Sequence, residues 1–446
     1  MIKYTRFFIT FLLAVIAFGA KAQTTATTSS PYSRYGLGDI SPMLLPQNTA
    51  MGGIATATNR ISGYNNINPL NPASYAAINL TTIDVGLYSN FVTFSKTGAA
   101  DQKNANFRLS HIAFGVPVTK HSALSFGLLP YSELGYNYKQ TLSHGFGSGS
   151  PADTNAVNYL YSGEGGLSKA YLGYGFTVAK HLLIGANAAY IFGNLKQYSS
   201  TEIPNLFGTL NSRIESSNSI GGLNYDLGLQ YSFDFPDKQN QLTKHLIVGY
   251  SASTASQLTT KNSYIVSQYT RDSQGNENTP IDSLINQQSP NAKIKLPQIN
   301  HFGVSYQSDG KFLVGADYTF GKWSNLTIAG ANAGLQDSKT FNVGGQFTPN
   351  SNSFHYFAAV DYRLGFIYDQ TYLNINNTNI TRYAATFGLG LPLQPNVTRT
   401  SFYKINISAE VGRRGTLTNG LVKESYVNLK VAFTLNDRWF QRYKFE

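Results

Sequence analysis

Along most of the chain apolar residues alternate one for one with polar or small ones, the period of a strand that has a different medium on each face. In one segment Leu223, Tyr225, Leu227, Leu229, Tyr231 and Phe233 form one set, and Asn224, Asp226, Gly228, Gln230 and Ser232 the other. Phe312 to Gly321, Tyr403 to Gly412 and Val427 to Leu435 repeat the pattern. Counting such segments predicts fourteen strands, near 82–96, 105–118, 122–140, 167–179, 182–199, 217–234, 244–265, 293–307, 311–323, 338–348, 354–371, 380–393, 399–413 and 423–437. Short turns such as Thr119–His121, Ala179–His181 and Ser308–Lys311 alternate with longer loops at 141–166, 200–216, 266–292 and 324–337. Tight turns on one rim and long loops on the other are expected of an all-β, fourteen-stranded antiparallel transmembrane β-barrel. Closure follows from the solvent: in hydrocarbon an unpaired backbone N–H or C=O costs several kcal/mol, so the first and last strands pair.

The third strand carries an interruption. In "GLLPYSELGYNY" Pro130 offers no backbone donor, and Gly127 and Gly135 on either side tolerate unusual backbone, so a bend is expected there. The chain ahead of the barrel alternates poorly. Residues 1–22 read as a secretory signal peptide: basic Lys3 and Arg6, the apolar run Phe7 to Gly19, and Ala20-Lys21-Ala22 as cleavage pattern. Residues 23–80 are rich in Gly, Asn, Pro and Ser and are expected to fold as a plug inside the barrel formed by 81–446. Within it Gly52, Gly53 and the Asn71-Pro72-Ala73 motif read as tight turns that need close packing.

Composition agrees with lipid outside. There are 30 Tyr, 28 Phe and 41 Gly, with 13% charged residues. The absence of cysteine removes disulfides, thiolate chemistry and cysteine metal sites. The net charge of +11 falls to +8 when Lys3, Arg6 and Lys21 leave with the signal, and its basic residues are scattered, which speaks against a nucleic-acid surface. Charges placed on the lumen side by alternation are Asp226, Asp317, Asp361, Arg363, Lys404, Glu410 and Lys430. Their expected role is to grip the plug and hold interior water, with Asp361 and Arg363 as a pair and steering of a carboxylate cargo as the alternative. The seven histidines, at 111, 121, 144, 181, 245, 301 and 355, are dispersed, so no metal site is expected, and no Gly-x-Ser-x-Gly elbow points to catalysis. Neither an enzymatic activity nor a cofactor is expected.

The signal peptide, the hatch with Asn71-Pro72-Ala73, the strand count and the phrases "FGVPVTKHSALSFGLLPYSELGY" and "GLSKAYLGYGFTVAKHLLIGANAAYIFG" together resemble the FadL/TodX family of outer-membrane transporters for hydrophobic compounds. The resemblance spans the mature chain, although this hatch is longer than the family's usual one and no ligand-binding residue of the family can be matched. It implies a monomer in the outer membrane of a Gram-negative bacterium, in contact with its lipids. It implies passive diffusion of fatty acids or aromatic compounds through a plugged lumen, and lateral exit where the third strand kinks, here at Gly127, Pro130 and Gly135. Two alternatives stand beside it: a docking or shuttle subunit bound to protein-secretion partners, with the polar loop 266–292 as contact surface, and a general porin.

Overall fold

The computed structural model describes residues 30–59, 65–143, 156–206, 208–237, 242–272, 274–278, 282–351, 353–394 and 401–439. The expected signal peptide, the first residues of the expected plug and His144 lie outside these. The strands in chain order are β1 (Asp39–Ile40), β2 (Thr81–Ser95), β3 (Gln102–Thr119), β4 (Ser122–Leu142), β5 (Val157–Ala179), β6 (Leu182–Glu202), β7 (Asn211–Asp237), β8 (Leu242–Ser253), β9 (Gln257–Tyr269), β10 (Asp282–Lys295), β11 (Ile299–Ser308), β12 (Phe312–Gly321), β13 (Thr327–Ile328), β14 (Ala331–Asn332), β15 (Ser338–Phe347), β16 (Asp361–Ile375), β17 (Thr378–Pro392), β18 (Phe402–Gly415) and β19 (Lys423–Asp437). Fourteen of them, β2 to β8, β11, β12 and β15 to β19, close into an antiparallel ring, sealed where β19 pairs with β2 from Asp437↔Thr81 to Lys423↔Ser95.

Alternation sets the two faces as the sequence predicts. Leu223 and Leu227 are 53% and 51% exposed on the outside, whereas Asp226 between them is 1% exposed within. Phe107, Leu172, Phe302, Val314, Phe341 and Leu364 extend the outer apolar surface around the ring. The expected single strands at 244–265 and 293–307 are each broken in two, into β8 and β9 and into β10 and β11. Only the middle of the expected loop 266–292 connects strands: β9 runs to Tyr269 and β10 starts at Asp282, and the two pair with each other and carry the wall on from β7 as a hairpin. Its run Asn286-Gln287-Gln288-Ser289 is polar on both faces because beyond the apolar band the ladder needs no apolar side, so periodicity gave no strand signal there. Residues 324–337 likewise hold the short strands β13 and β14, and β13 pairs with β10.

The rim that holds both barrel termini is stitched by side chains. His181 Nδ1 lies 3.1 Å from Asp234 Oδ2, Asp234 Oδ1 lies 2.5 Å from His245 Nδ1, and His245 Nε2 lies 3.2 Å from Asp309 Oδ2. Backbone bonds from Ser232 N to His181 O and from Asp309 N to Thr243 O run beside them, joining three neighbouring hairpins. The Asp309 hydrogen bond raises the His245 pKa above its ordinary 6.5 against the opposing effect of burial, and Asp234 adds to the rise. Burial pushes Asp234 up, but hydrogen bonds from Ser232 and His245 outweigh it and hold the carboxyl below 3.8. A raised histidine stabilises fully below 6.5 and loses that contribution as pH climbs through its folded value. A depressed aspartate stabilises above 3.8 and loses it on acidification. With their carboxylates open to solvent, such rim pairs are worth about 0.2–1 kcal/mol each. Amide exchange at Ser232 and Asp309 is therefore expected to be slowest between pH 3.8 and 6.5 and, corrected for intrinsic rates, a few-fold faster at alkaline pH. Asp234→Asn should flatten that profile.

Candidate functional site: a break in the barrel wall and the segment behind it

Ser30–Asn59 and Asn65–Leu80 pack against the inward-facing side chains of the wall strands, from the rim holding the β18–β19 turn to the rim holding the termini. At the first rim Tyr32 Oη donates to Val422 O at 2.5 Å, and Ser30 Oγ donates to Glu424 Oε1 at 2.6 Å. Tyr32 and Leu37 are buried there with Leu134, Tyr136, Trp323, Leu326 and Tyr372 in an apolar cluster. Further along, Asn71 caps the 3-10 helix Pro72–Ala77 by accepting from Ala73 N at 3.1 Å, and its Nδ2 donates to Thr56 O at 2.7 Å. Gly52 and Gly53 turn with φ of +70° and +83°, a conformation that favours glycine.

Glycines on the inner wall make room for this segment. A β-carbon on Gly175 would lie 2.5 Å from Pro72 O; on Gly185 it would lie closer still, and on Gly228 it would overlap Asn71 Oδ1. Gly344 and Gly365 leave the same space for Met51 and Gly52. Between the glycines polar side chains take the backbone: Gln230 Nε2 donates to Thr56 O at 2.9 Å, Ser305 Oγ to Ala57 O at 2.7 Å, and Gly52 N to Thr386 Oγ1 at 2.8 Å.

The lumen charges divide in two. Asp317 accepts from Ala55 N and Thr56 N, both at 2.8 Å, and Lys430 Nζ donates to Leu44 O at 3.2 Å and Thr49 Oγ1 at 3.1 Å, so these two hold the segment. The rest bind wall to wall. Arg363 and Lys404 meet Asp361 Oδ2 at 2.9 and 2.7 Å, Lys169 meets Asp226 at 2.8 Å, and Glu410 takes Tyr426 at 2.8 Å and Arg382 at 3.4 Å. Buried charge is tolerated only when paired, which accounts for this arrangement.

The wall itself breaks at β4. It pairs with β3 only from Ser122 to Leu128, whereas its pairing with β5 continues to Leu142↔Val157 with a bulge between Pro130 and Ser132. Gly127 lies on the last paired stretch and leaves room for Ile112 O. Past Pro130 the in–out pattern stops: Ser132, Glu133, Leu134, Gly135 and Tyr136 are all buried. That run has bent into the lumen, where β1 takes the place of β3 through Asp39↔Glu133 and Ile40↔Ser132. Gly135 accepts from Ser30 N at 2.8 Å and donates to Ser33 Oγ at 3.1 Å. On the other side of the break β3 keeps Phe107 and Leu109 pointing outward, so the gap opens within the apolar band.

Two cavities meet at this gap. An inner one of about 380 Å³ and an outer one of about 590 Å³ share Arg108, Ser110, Leu129, Pro130 and Glu133 in their linings. Arg108 on β3 and Glu133 on β4 form an ion pair across the opening, and the Arg108 guanidinium stands 4.4 Å from the Tyr88 ring centre. Sequence reasoning singled out neither residue. A signal did exist: in Leu109-Ser110-His111-Ile112 two polar residues follow one another, and the β2–β3 register slips there, with Gly86 opposite His111 and Leu87 opposite Leu109. Among the described residues no cluster of His, Asp and Glu is arranged to hold a metal.

Solved structures share this fold. The toluene transporter TodX of P. putida superposes with a TM-score of 0.56 at 15% identity, over 89% of this chain and 98% of that one. A Pseudomonas aeruginosa FadL homologue gives 0.55 at 12%, over 90% and 100%. The toluene transporter TbuX of Ralstonia pickettii gives 0.53 at 17%, over 88% and 98%. The FadL-like architecture implied by the sequence is thereby shown. No curated protein matches the chain. One family model, BamG, matches residues 1–446 from end to end, and the chain belongs to the BamG family.

Proposed function

We propose that this chain is an outer-membrane channel through which small hydrophobic molecules, such as fatty acids or aromatic compounds, cross by passive diffusion. The segment before β2 acts as the plug that denies water and ions a direct path. Cargo enters past the apolar cluster around Trp323 and Tyr372, occupies the inner cavity, and leaves sideways between β3 and β4 into the bilayer. The observation that carries this reading is the end of the β3–β4 ladder at Leu128, within the apolar band and beside residues that line both cavities. Non-ladder backbone at membrane depth persists where protein or a cavity shelters it. The inner cavity of about 380 Å³ is of the size that holds small ligands. Burial of apolar surface yields about 25 cal/mol per Å², so a greasy solute descends in free energy from water to cavity to lipid with no energy source. The solved structures of similar fold include toluene transporters, which agrees with cargo of this kind.

Reconstituted into liposomes, the full barrel is expected to speed delivery of labelled toluene or oleate to the bilayer at least tenfold over empty liposomes, with no gain for sucrose. Sucrose entry without hydrophobic delivery would instead identify a porin. A second reading, docking to a partner protein, is favoured by the β9–β10 hairpin, which pairs with β7 and exposes Leu284 and Ile285 among polar residues. Its test is co-purification with secretion-complex proteins, lost when the hairpin is shortened.

A further inference from the structure

Where β2 and β3 pair beside the gap, three side chains far apart in role on the sequence meet in one hydrogen-bonded line. Asp84 Oδ1 lies 2.6 Å from His111 Nε2, and His111 Nδ1 lies 3.1 Å from Ser110 Oγ. The far oxygen of Asp84 accepts from Thr434 Oγ1 at 2.7 Å, which in turn accepts from Asn406 Nδ2 at 2.9 Å. All three are withdrawn from water: Asp84 is 0%, His111 1% and Ser110 7% exposed. The register slip between Gly86 and Leu87 is what allows this, because it leaves Ser110 unpaired with β2 and lets both Ser110 and His111 turn inward.

We infer that Ser110, His111 and Asp84 form a nucleophilic site for carboxylic esters of lipids that reach the β3–β4 gap. The proton positions follow from the partners. In the neutral ring the Asp84 carboxylate can only accept, which puts the one proton on Nε2 and leaves Nδ1 to accept from Ser110 Oγ. Asp84 is a positioning residue, and Ser110 and His111 are the groups that meet substrate. In the forward step Ser110 Oγ bonds to the ester carbonyl carbon as its proton passes to His111 Nδ1. The carbon–oxygen bond to the alcohol breaks, and Nδ1 returns the proton to the leaving alkoxide. Water then attacks the acyl-serine, gives one proton to Nδ1, and releases the carboxylic acid as Ser110 recovers its hydrogen. Nothing is oxidised or reduced, and water is the only co-reactant.

The surroundings suit such a substrate. Ser110 lines both cavities, and Leu109, Leu128 and Leu129 supply the apolar wall. Along Gln102–His111 the edge of β3 facing the gap has no strand partner among the described residues, which leaves backbone N–H groups available to a developing oxyanion. Lys196 lines the outer cavity and can meet a phosphate group of the same lipid. This inference rests on the observed gap and not on the transport reading, since ester cleavage requires no passage of cargo.

The test is labelling of the purified full-length barrel in mild detergent with an alkyl fluorophosphonate, followed by peptide mass mapping. One adduct on Ser110 is expected. It should be absent in Ser110→Ala and formed at least a hundredfold more slowly in His111→Asn and Asp84→Asn, the scale of a lost general base. Vesicles of phosphatidylethanolamine carrying a fluorescent acyl chain should lose that chain in the presence of the native barrel but not of Ser110→Ala. Heat-modifiable gel mobility shows that each variant retains its barrel, and Ser110→Ala removes only one hydroxyl. An intact native barrel that takes no label on Ser110, or whose labelling is unchanged in His111→Asn, would overturn the inference. Toluene or oleate delivery by Ser110→Ala reports on transport separately.

Discussion

Valine at both Gly185 and Gly228 is expected to push the N-terminal segment off the wall and make the barrel permeable to sucrose. The two glycines sit where the Asn71–Pro72 turn touches the inner face: the Pro72 carbonyl lies over Gly185, and the Asn71 side chain lies over Gly228. Neither neighbour is the free end of a flexible chain. Pro72 O belongs to the first turn of the 3-10 helix, and Asn71 is fixed by its bonds to Ala73 N and Thr56 O. Overpacking of a closely fitted site costs about 1–3 kcal/mol per substitution. The two together shift the seated-to-displaced ratio by about 30-fold or more, since 1.4 kcal/mol is a factor of ten. The wall strands keep their backbone ladders, and valine suits a strand. The expected result is therefore a heat-modifiable, β-rich barrel whose liposomes swell in sucrose about tenfold faster than those with the native protein. An intact barrel with both valines and no added swelling would show that the segment is not what closes the lumen.

The cradle of glycines also shows where sequence reasoning reached and where it stopped. Alternation placed the outer and inner faces correctly for Leu223 to Phe233 because lipid and lumen differ along the whole strand. Pro130 was legible as a bend because a missing donor is a property of one residue. That β3, not β5, would be the strand it parts from was not legible, since ladder partners beyond Leu128 depend on where Asp39–Ile40 comes to rest. The inward direction of Asp361, Arg363 and Lys404 followed from the period, but their pairing with one another rather than with the N-terminal segment did not. Cross-strand neighbours are set by register, which a one-dimensional pattern does not contain. His181 and His245 read as isolated turn residues because the aspartate joining them, Asp234, ends a different strand.

Tying β3 to β4 across the gap tests the proposed route most directly. The Arg108→Cys, Glu133→Cys variant places two thiols where an ion pair now spans the opening, in a chain whose sequence contains no cysteine to compete. A bis-methanethiosulfonate linker bridges the two strands and is released by dithiothreitol. Before linking, loss of the ion pair should leave delivery of oleate or toluene at least as fast as in the native barrel. After linking, the strands cannot part and the opening is occupied, so delivery is expected to fall at least tenfold and to return on reduction. The substituted but unlinked barrel carries the same two changes in the inner cavity, so a loss that appears only on linking and disappears on reduction belongs to the side opening. Delivery that continues at the native rate through a fully linked barrel would mean that cargo does not leave between β3 and β4, and would contradict the account.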